Sequence, residues 1–99
     1  MPKRRKKLES TLTADKSFPY KKYRIEWIDP CGETGWADKS EFDKMTIASP
    51  TSEAWIYSKD KKFIKFFATY DKDENGNLTF GDRNIIPIGC VKRLTKLSN

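Results

Sequence analysis

Histidine does not occur among the 99 residues. The commonest general base and the commonest zinc ligand are therefore both missing. Cysteine occurs only at Cys31 and Cys90, too far apart for a CxxC motif or a zinc cluster. Both are expected to be free thiols. Met1-Pro2-Lys3-Arg4-Arg5-Lys6-Lys7 has no apolar stretch behind it and does not read as a secretory signal. No run approaches the roughly 18 apolar residues of a transmembrane helix, so a membrane is not an expected partner. There is no phosphate loop, no G-x-S-x-G and no Cys/His pair. The chain reads as a non-enzymatic protein with no metal and no cofactor.

Valine occurs once, and Leu, Ile, Val and Phe together make 20 of 99 residues, near the lower limit for a folded chain. Three Trp and four Tyr add to them, and each aromatic buries a large area. One small domain is the expectation. The net charge of +6 is unevenly spread. Residues 1–17 hold Lys3, Arg4, Arg5, Lys6, Lys7 and Lys16 against Glu9 and Asp15, a net +4. Five successive bases repel one another, so 1–17 reads as a disordered basic arm ahead of a domain at 18–99. Such an arm is either a solubility tail or a phosphate-binding element drawn to nucleic acid by counterion release.

Period-two alternation predicts a strand over Lys21–Asp29, with Tyr23, Ile25 and Trp27 on one side. Pro30, Gly32 and Gly35 end it. Asp38, with Glu41 three residues on, reads as the N-cap of a helix of about two turns anchored by Trp36, Phe42 and Met45. Further strands are predicted at Glu53–Ser58, at Phe63–Tyr70, at Asn77–Phe80 with Asn84–Pro87 as a broken fourth bulged at Gly81, and at Val91–Leu97. The expected fold is mainly β: a small, bent, five-stranded antiparallel barrel with one short inserted helix. An open sheet with the helix packed on it is the alternative.

Asp71-Lys72-Asp73-Glu74-Asn75-Gly76-Asn77-Leu78-Thr79-Phe80-Gly81-Asp82 fits much of the calcium-loop template. Its twelfth residue is Asp, shorter than the usual Glu, and Pro87 and Gly89 oppose an exiting helix. A hairpin turn around Asn75-Gly76 is the expectation instead.

The segments Glu26-Trp27-Ile28-Asp29, Gly35-Trp36, Ala54-Trp55-Ile56-Tyr57, Phe80-Gly81-Asp82 and Ile86-Pro87-Ile88-Gly89-Cys90-Val91 resemble small proteins of marine tailed phages, in particular cyanophage-like sequences. The resemblance covers about residues 20–97. That group looks like a divergent branch of the Sm-like (LSm) fold, whose bent barrels assemble into RNA-binding rings. In the family's second motif a base precedes Gly; here Ile88 stands before Gly89, and the first motif's Asp and Asn are not recognisable. The resemblance therefore implies the fold and the ring rather than uridine recognition. It also implies that the turns at Ser58–Lys62 and Pro87–Cys90 line a pore and contact RNA.

The resulting expectation is a homo-oligomeric ring of roughly five to seven subunits that binds RNA or single-stranded DNA. By the phage resemblance, it would act in the cytoplasm of an infected host cell. Candidate phosphate contacts are Lys3, Arg4, Arg5, Lys6, Lys7, Lys59, Lys61 and Lys62, with Arg83 and Arg93 as weaker ones. Tyr57 and Phe63 flank the basic turn and either stack on bases or belong to the core. The rival expectation is a protein-interaction or virion component whose arm docks on an acidic partner or on packaged DNA.

Overall fold

The computed structural model describes residues 18–97. The basic arm over residues 1–17, with its candidate residues Lys3, Arg4, Arg5, Lys6 and Lys7, lies outside the described residues. Five strands form one antiparallel sheet: β1 (Lys21–Trp27), β2 (Thr51–Lys59), β3 (Phe63–Lys72), β4 (Leu78–Pro87) and β5 (Val91–Lys96). The strand order is β4-β3-β2-β1-β5, so β4 and β5 are the two edges. They do not pair with one another within the chain, and the sheet is not closed by a ladder.

The connection between the edges nevertheless forces the sheet to bend. Five strands spaced about 4.8 Å apart span about 19 Å when flat. Pro87 and Val91 are joined only by the 3-10 turn Ile88–Cys90, a stretch that reaches at most about 14 Å. Hydrogen bonds hold the turn across the bend: Ile88 N donates to Lys62 O (2.8 Å), and Ile28 N donates to Cys90 O (2.7 Å). β1 stops at Trp27 rather than at Asp29, which keeps only an isolated bridge to Ala48.

The alternation foreseen for β1 puts Tyr23, Ile25 and Trp27 on the inner face with Ala54, Ile56, Ile64, Phe66, Ile86 and Leu94. The opposite face of β2 and β3 is also apolar. Trp55 stacks on Phe67 (5.6 Å, 22°), and Phe67 meets Phe80 edge-on (4.7 Å, 63°). Phe18 and Tyr20, from the segment ahead of β1, cover this second layer: Phe18 lies 4.7 Å from Tyr70, and Tyr20 lies 5.3 Å from Phe67. With so few aliphatic residues, a second layer built from rings compensates for the small first one.

Three sequence expectations change. The fourth strand is continuous, and Gly81 pairs regularly with Thr69. The irregularity falls one residue later. Ala68 and Asp82 drop out of the ladder, and Asp82 sits at φ 49, a left-handed conformation unusual for a side-chain-bearing residue. Thr69 Oγ1 donates to the Asp82 carboxylate there. The resulting coil lets Phe67 and Tyr70, which a regular strand would point to opposite faces, meet at 6.5 Å. The helix is one turn, α1 (Lys39–Asp43), rather than two. Its capping box forms as expected, with Glu41 N donating to Asp38 Oδ1 (2.8 Å) and Asp38 N donating to Glu41 Oε1 (3.2 Å). Trp36, Phe42 and Met45 do not anchor it, since all three are exposed. The inner face is already filled by the strands' own side chains, and five helical residues are too few to carry an apolar stripe.

The Asp71–Asp82 segment is the β3–β4 hairpin, flanked by strands. Asp73 organises its turn by accepting from Asn75 N (2.9 Å) and Asn77 N (2.8 Å), and Gly76 takes the positive φ of 85°. Both cysteines are free thiols. Among the described residues no helix is long and apolar enough to cross a membrane.

Candidate nucleic-acid interface

The turn between β2 and β3 carries Lys59, Lys61 and Lys62, all exposed. Asp60 does not neutralise them by direct pairing. Its Oδ1 accepts from Lys62 N (2.7 Å) and Phe63 N (2.8 Å), while Asp60 N donates to Phe63 O (3.0 Å). The carboxylate is spent on the turn's backbone, and the lysine heads point into solvent. Through the Ile88 N to Lys62 O bond, this turn is held against the 3-10 turn, so the two turns named by the Sm-like resemblance are neighbours.

Next to the turn, the outer face of β2, β3 and β4 forms an open groove of about 500 Å³ lined by Tyr57, Lys65, Phe67, Phe80, Arg83 and Ile85. The β2–β3 ladder slips between Ile56 and Ser58, leaving Tyr57 as an extra residue opposite Lys65. Bulges of this kind re-aim a side chain. Tyr57 stacks on Tyr20 (5.4 Å, 24°), meets Phe80 edge-on (5.3 Å) and stays 46% exposed. Register places Lys65 opposite Ile85 and Arg83 opposite Phe67. The groove thus has an aromatic floor and two cations on its walls, with no acidic side chain lining it. Among the described residues Arg83 makes no ion pair. Phe63, at the start of β3, is 45% exposed beside the turn.

The structure brings together Tyr57, Phe63, Lys59, Lys61, Lys62 and Arg83 at one region of the sheet, and it separates Arg93 from them. Arg93 lies on β5, at the opposite edge from β4, and its Nε donates to Glu26 Oε2 (2.8 Å). That pair raises the Arg93 pKa further and holds Glu26 below the usual carboxylate range. Arg93 is thus engaged in a cross-strand pair, away from the groove. Sequence reasoning missed Lys65, Phe80 and Ile85. The alternation Phe63-x-Lys65-x-Phe67 does contain the signal for Lys65, but Phe80 was hidden by the expected break in the fourth strand.

Three carboxylates have depressed pKa values. In Asp60 the causes are the Phe63 and Lys62 amides, in Asp73 chiefly the Asn77 amide, and in Glu26 chiefly the Arg93 hydrogen bond. A folded pKa below the unfolded one gives stability that is present above the unfolded value and is lost as pH falls through the folded value. The urea midpoint should therefore be flat around neutral pH and fall as the pH drops below the ordinary carboxylate range. A midpoint unchanged on acidification would contradict the hydrogen bonding described for these three groups.

No protein-family model matches the sequence, and neither a similar curated protein nor a similar solved structure is found.

Proposed function

We propose that this chain is a non-enzymatic nucleic-acid-binding protein that takes RNA or single-stranded DNA on the outer face of β2, β3 and β4. The reading rests on one observation: an exposed tyrosine, two cations and an aromatic floor share a groove beside a turn with three exposed lysines. Single strands are held by this combination, because bases offer flat faces to rings and phosphates follow the cations. A duplex hides its base faces, so single strands are the preferred ligand.

Assembly as a homo-oligomeric Sm-like ring of roughly five to seven copies belongs to the same proposal. Its support is that the two unpaired edges are β4 and β5. Pairing β4 of one copy with β5 of the next covers both edges and closes the assembly without new structure. In such a ring the basic turn and the 3-10 turn face the pore. A role in phage RNA or DNA processing follows from the phage resemblance. The exposed Trp36 and Phe42 favour a second reading, a protein-interaction or virion-associated component.

Anisotropy titration with labelled single-stranded RNA, single-stranded DNA and duplex DNA at two salt concentrations tests the binding. Tyr57→Ala should weaken single-strand binding by about 5-fold or more, given stacking worth about 1–3 kcal/mol per base. Unchanged affinity in Tyr57→Ala and Arg83→Ala would remove the groove from the proposal. A monomeric mass at micromolar concentration would remove the ring.

A further inference from the structure

The β1–β2 connection, residues 28–50, is far longer than the about 12–15 residues beyond which irregular loops are uncommon. It is nonetheless held in shape. Trp27 N donates to Pro50 O (3.1 Å) and Asp29 N to Ala48 O (2.9 Å), and the capping box of α1 sits at its apex. Every residue from 29 to 49 is exposed. Trp36, Ala37, Phe42 and Met45 line a groove there of about 620 Å³, rimmed by Glu33, Glu41 and Lys44. Nothing among the described residues covers these apolar side chains.

Charge says what kind of partner fits. The loop holds Asp29, Glu33, Asp38, Glu41 and Asp43 against Lys39 and Lys44, a net −3 in a chain of net +6. Nucleic acid is repelled by such a surface, whereas lysine and arginine are attracted to its carboxylates and to the face of an uncovered indole. The chain carries one strongly basic run, Lys3 to Lys7. That run lies outside the described residues, but the described domain begins at Phe18. Phe18 is buried against Tyr70, three residues along β3 from Phe67, the partner of Trp55, toward the end where β2 begins at Thr51. This is the end from which the acidic loop springs. Lys7 precedes Phe18 by 11 residues, a reach of about 36–40 Å when extended. The loop apex at Glu41 precedes Pro50 by 9 residues and so lies no more than about 32 Å from it.

We infer that the apolar groove on the net-acidic β1–β2 loop is the docking site of the chain's own basic segment Lys3–Lys7, and that nucleic acid competes with the loop for that segment. The competition rests on the nucleic-acid reading; the docking does not. A tether of this length holds the segment at about millimolar local concentration, so even a contact of millimolar strength is half occupied.

Acrylamide quenching of tryptophan fluorescence reads the docking in the full chain, with Trp36→Phe identifying the Trp36 contribution. A variant with Lys3, Arg4, Arg5, Lys6 and Lys7 all changed to Gln removes the ligand. Glu33→Gln with Glu41→Gln removes the two carboxylate charges on the rim, and Gln at 41 preserves the capping box. At low salt, Trp36 should be quenched about half as efficiently in the native chain as in either variant, and the difference should vanish at about 0.5 M salt. Equal quenching of all three at low salt overturns the docking. Protection that grows with protein concentration overturns the own-chain assignment in favour of a second copy's arm. Added single-stranded DNA should expose Trp36, and the Glu33→Gln, Glu41→Gln variant should bind DNA more tightly than the native chain. DNA that binds without exposing Trp36 overturns the competition. If no DNA binds at all, the nucleic-acid reading and the competition fail together, and the salt-dependent quenching still decides the docking.

Discussion

Phe67→Ala should lower stability by about 3–5 kcal/mol, the range for losing a buried phenylalanine. Phe67 is 1% exposed and touches four rings: Trp55 at 5.6 Å, Phe80 at 4.7 Å, Tyr20 at 5.3 Å and Tyr70 at 6.5 Å. Those neighbours come from β2, β3, β4 and the segment ahead of β1, so relaxation into the cavity would require several elements to move at once. A domain of this size has about 4–12 kcal/mol in total, and the variant should be partly unfolded at 37 °C. Phe63→Ala offers the comparison within the same strand. Phe63 is 45% exposed, and its truncation should cost less than about 1 kcal/mol. Urea midpoints of the two variants check this. Equal losses would mean that the second aromatic layer is not a structural layer, and the groove would then have no fixed floor.

Removal of residues 1–7 should flatten the dependence of single-strand affinity on salt by up to about 3.5 in log–log slope, at about 0.7 per neutralised phosphate for the five bases from Lys3 to Lys7. Any base preference should survive the truncation. Phosphate contacts position a strand without reading base edges, and preference would reside in Tyr57 and its groove. Lys61→Ala with Lys62→Ala should weaken binding further in the truncated chain, reducing the slope by about 1.4. Affinity measured from about 50 to 200 mM salt checks both numbers. A truncated chain that keeps the full slope would make residues 1–7 a solubility tail.

Much of the fold was legible because its causes are local. Alternation of apolar and polar residues over Lys21–Trp27 and the Asn75-Gly76 turn act within a few residues of themselves. The same is true of the Asp38–Glu41 capping box; the turn and the cap form as read, and the strand forms up to Trp27 rather than Asp29. The candidate site was only half legible. The lysines of the β2–β3 turn announce themselves by position between two strands, and Tyr57 and Arg83 were named but not placed together. Their meeting depends on the slipped register between Ile56 and Ser58, which has no composition signature.

By itself, then, the sequence determined the mainly β class, the turns, the cap and the concentration of positive charge ahead of residue 18. These follow from backbone preferences and charge count. Tertiary structure alone decided which side chains are free to act. Arg93 resembles Arg83 in sequence, yet cross-strand pairing with Glu26 occupies one guanidinium and leaves the other beside an aromatic groove. Trp36 and Phe42 resemble core residues, yet the strands' own side chains fill the inner face first and leave these two outside. Tertiary structure likewise left the sheet open, with β4 and β5 as its edges, because the 3-10 turn brings them round without a ladder between them. For Arg93 the partner that decides the outcome lies 67 residues away, and only the register of the folded sheet brings it within reach.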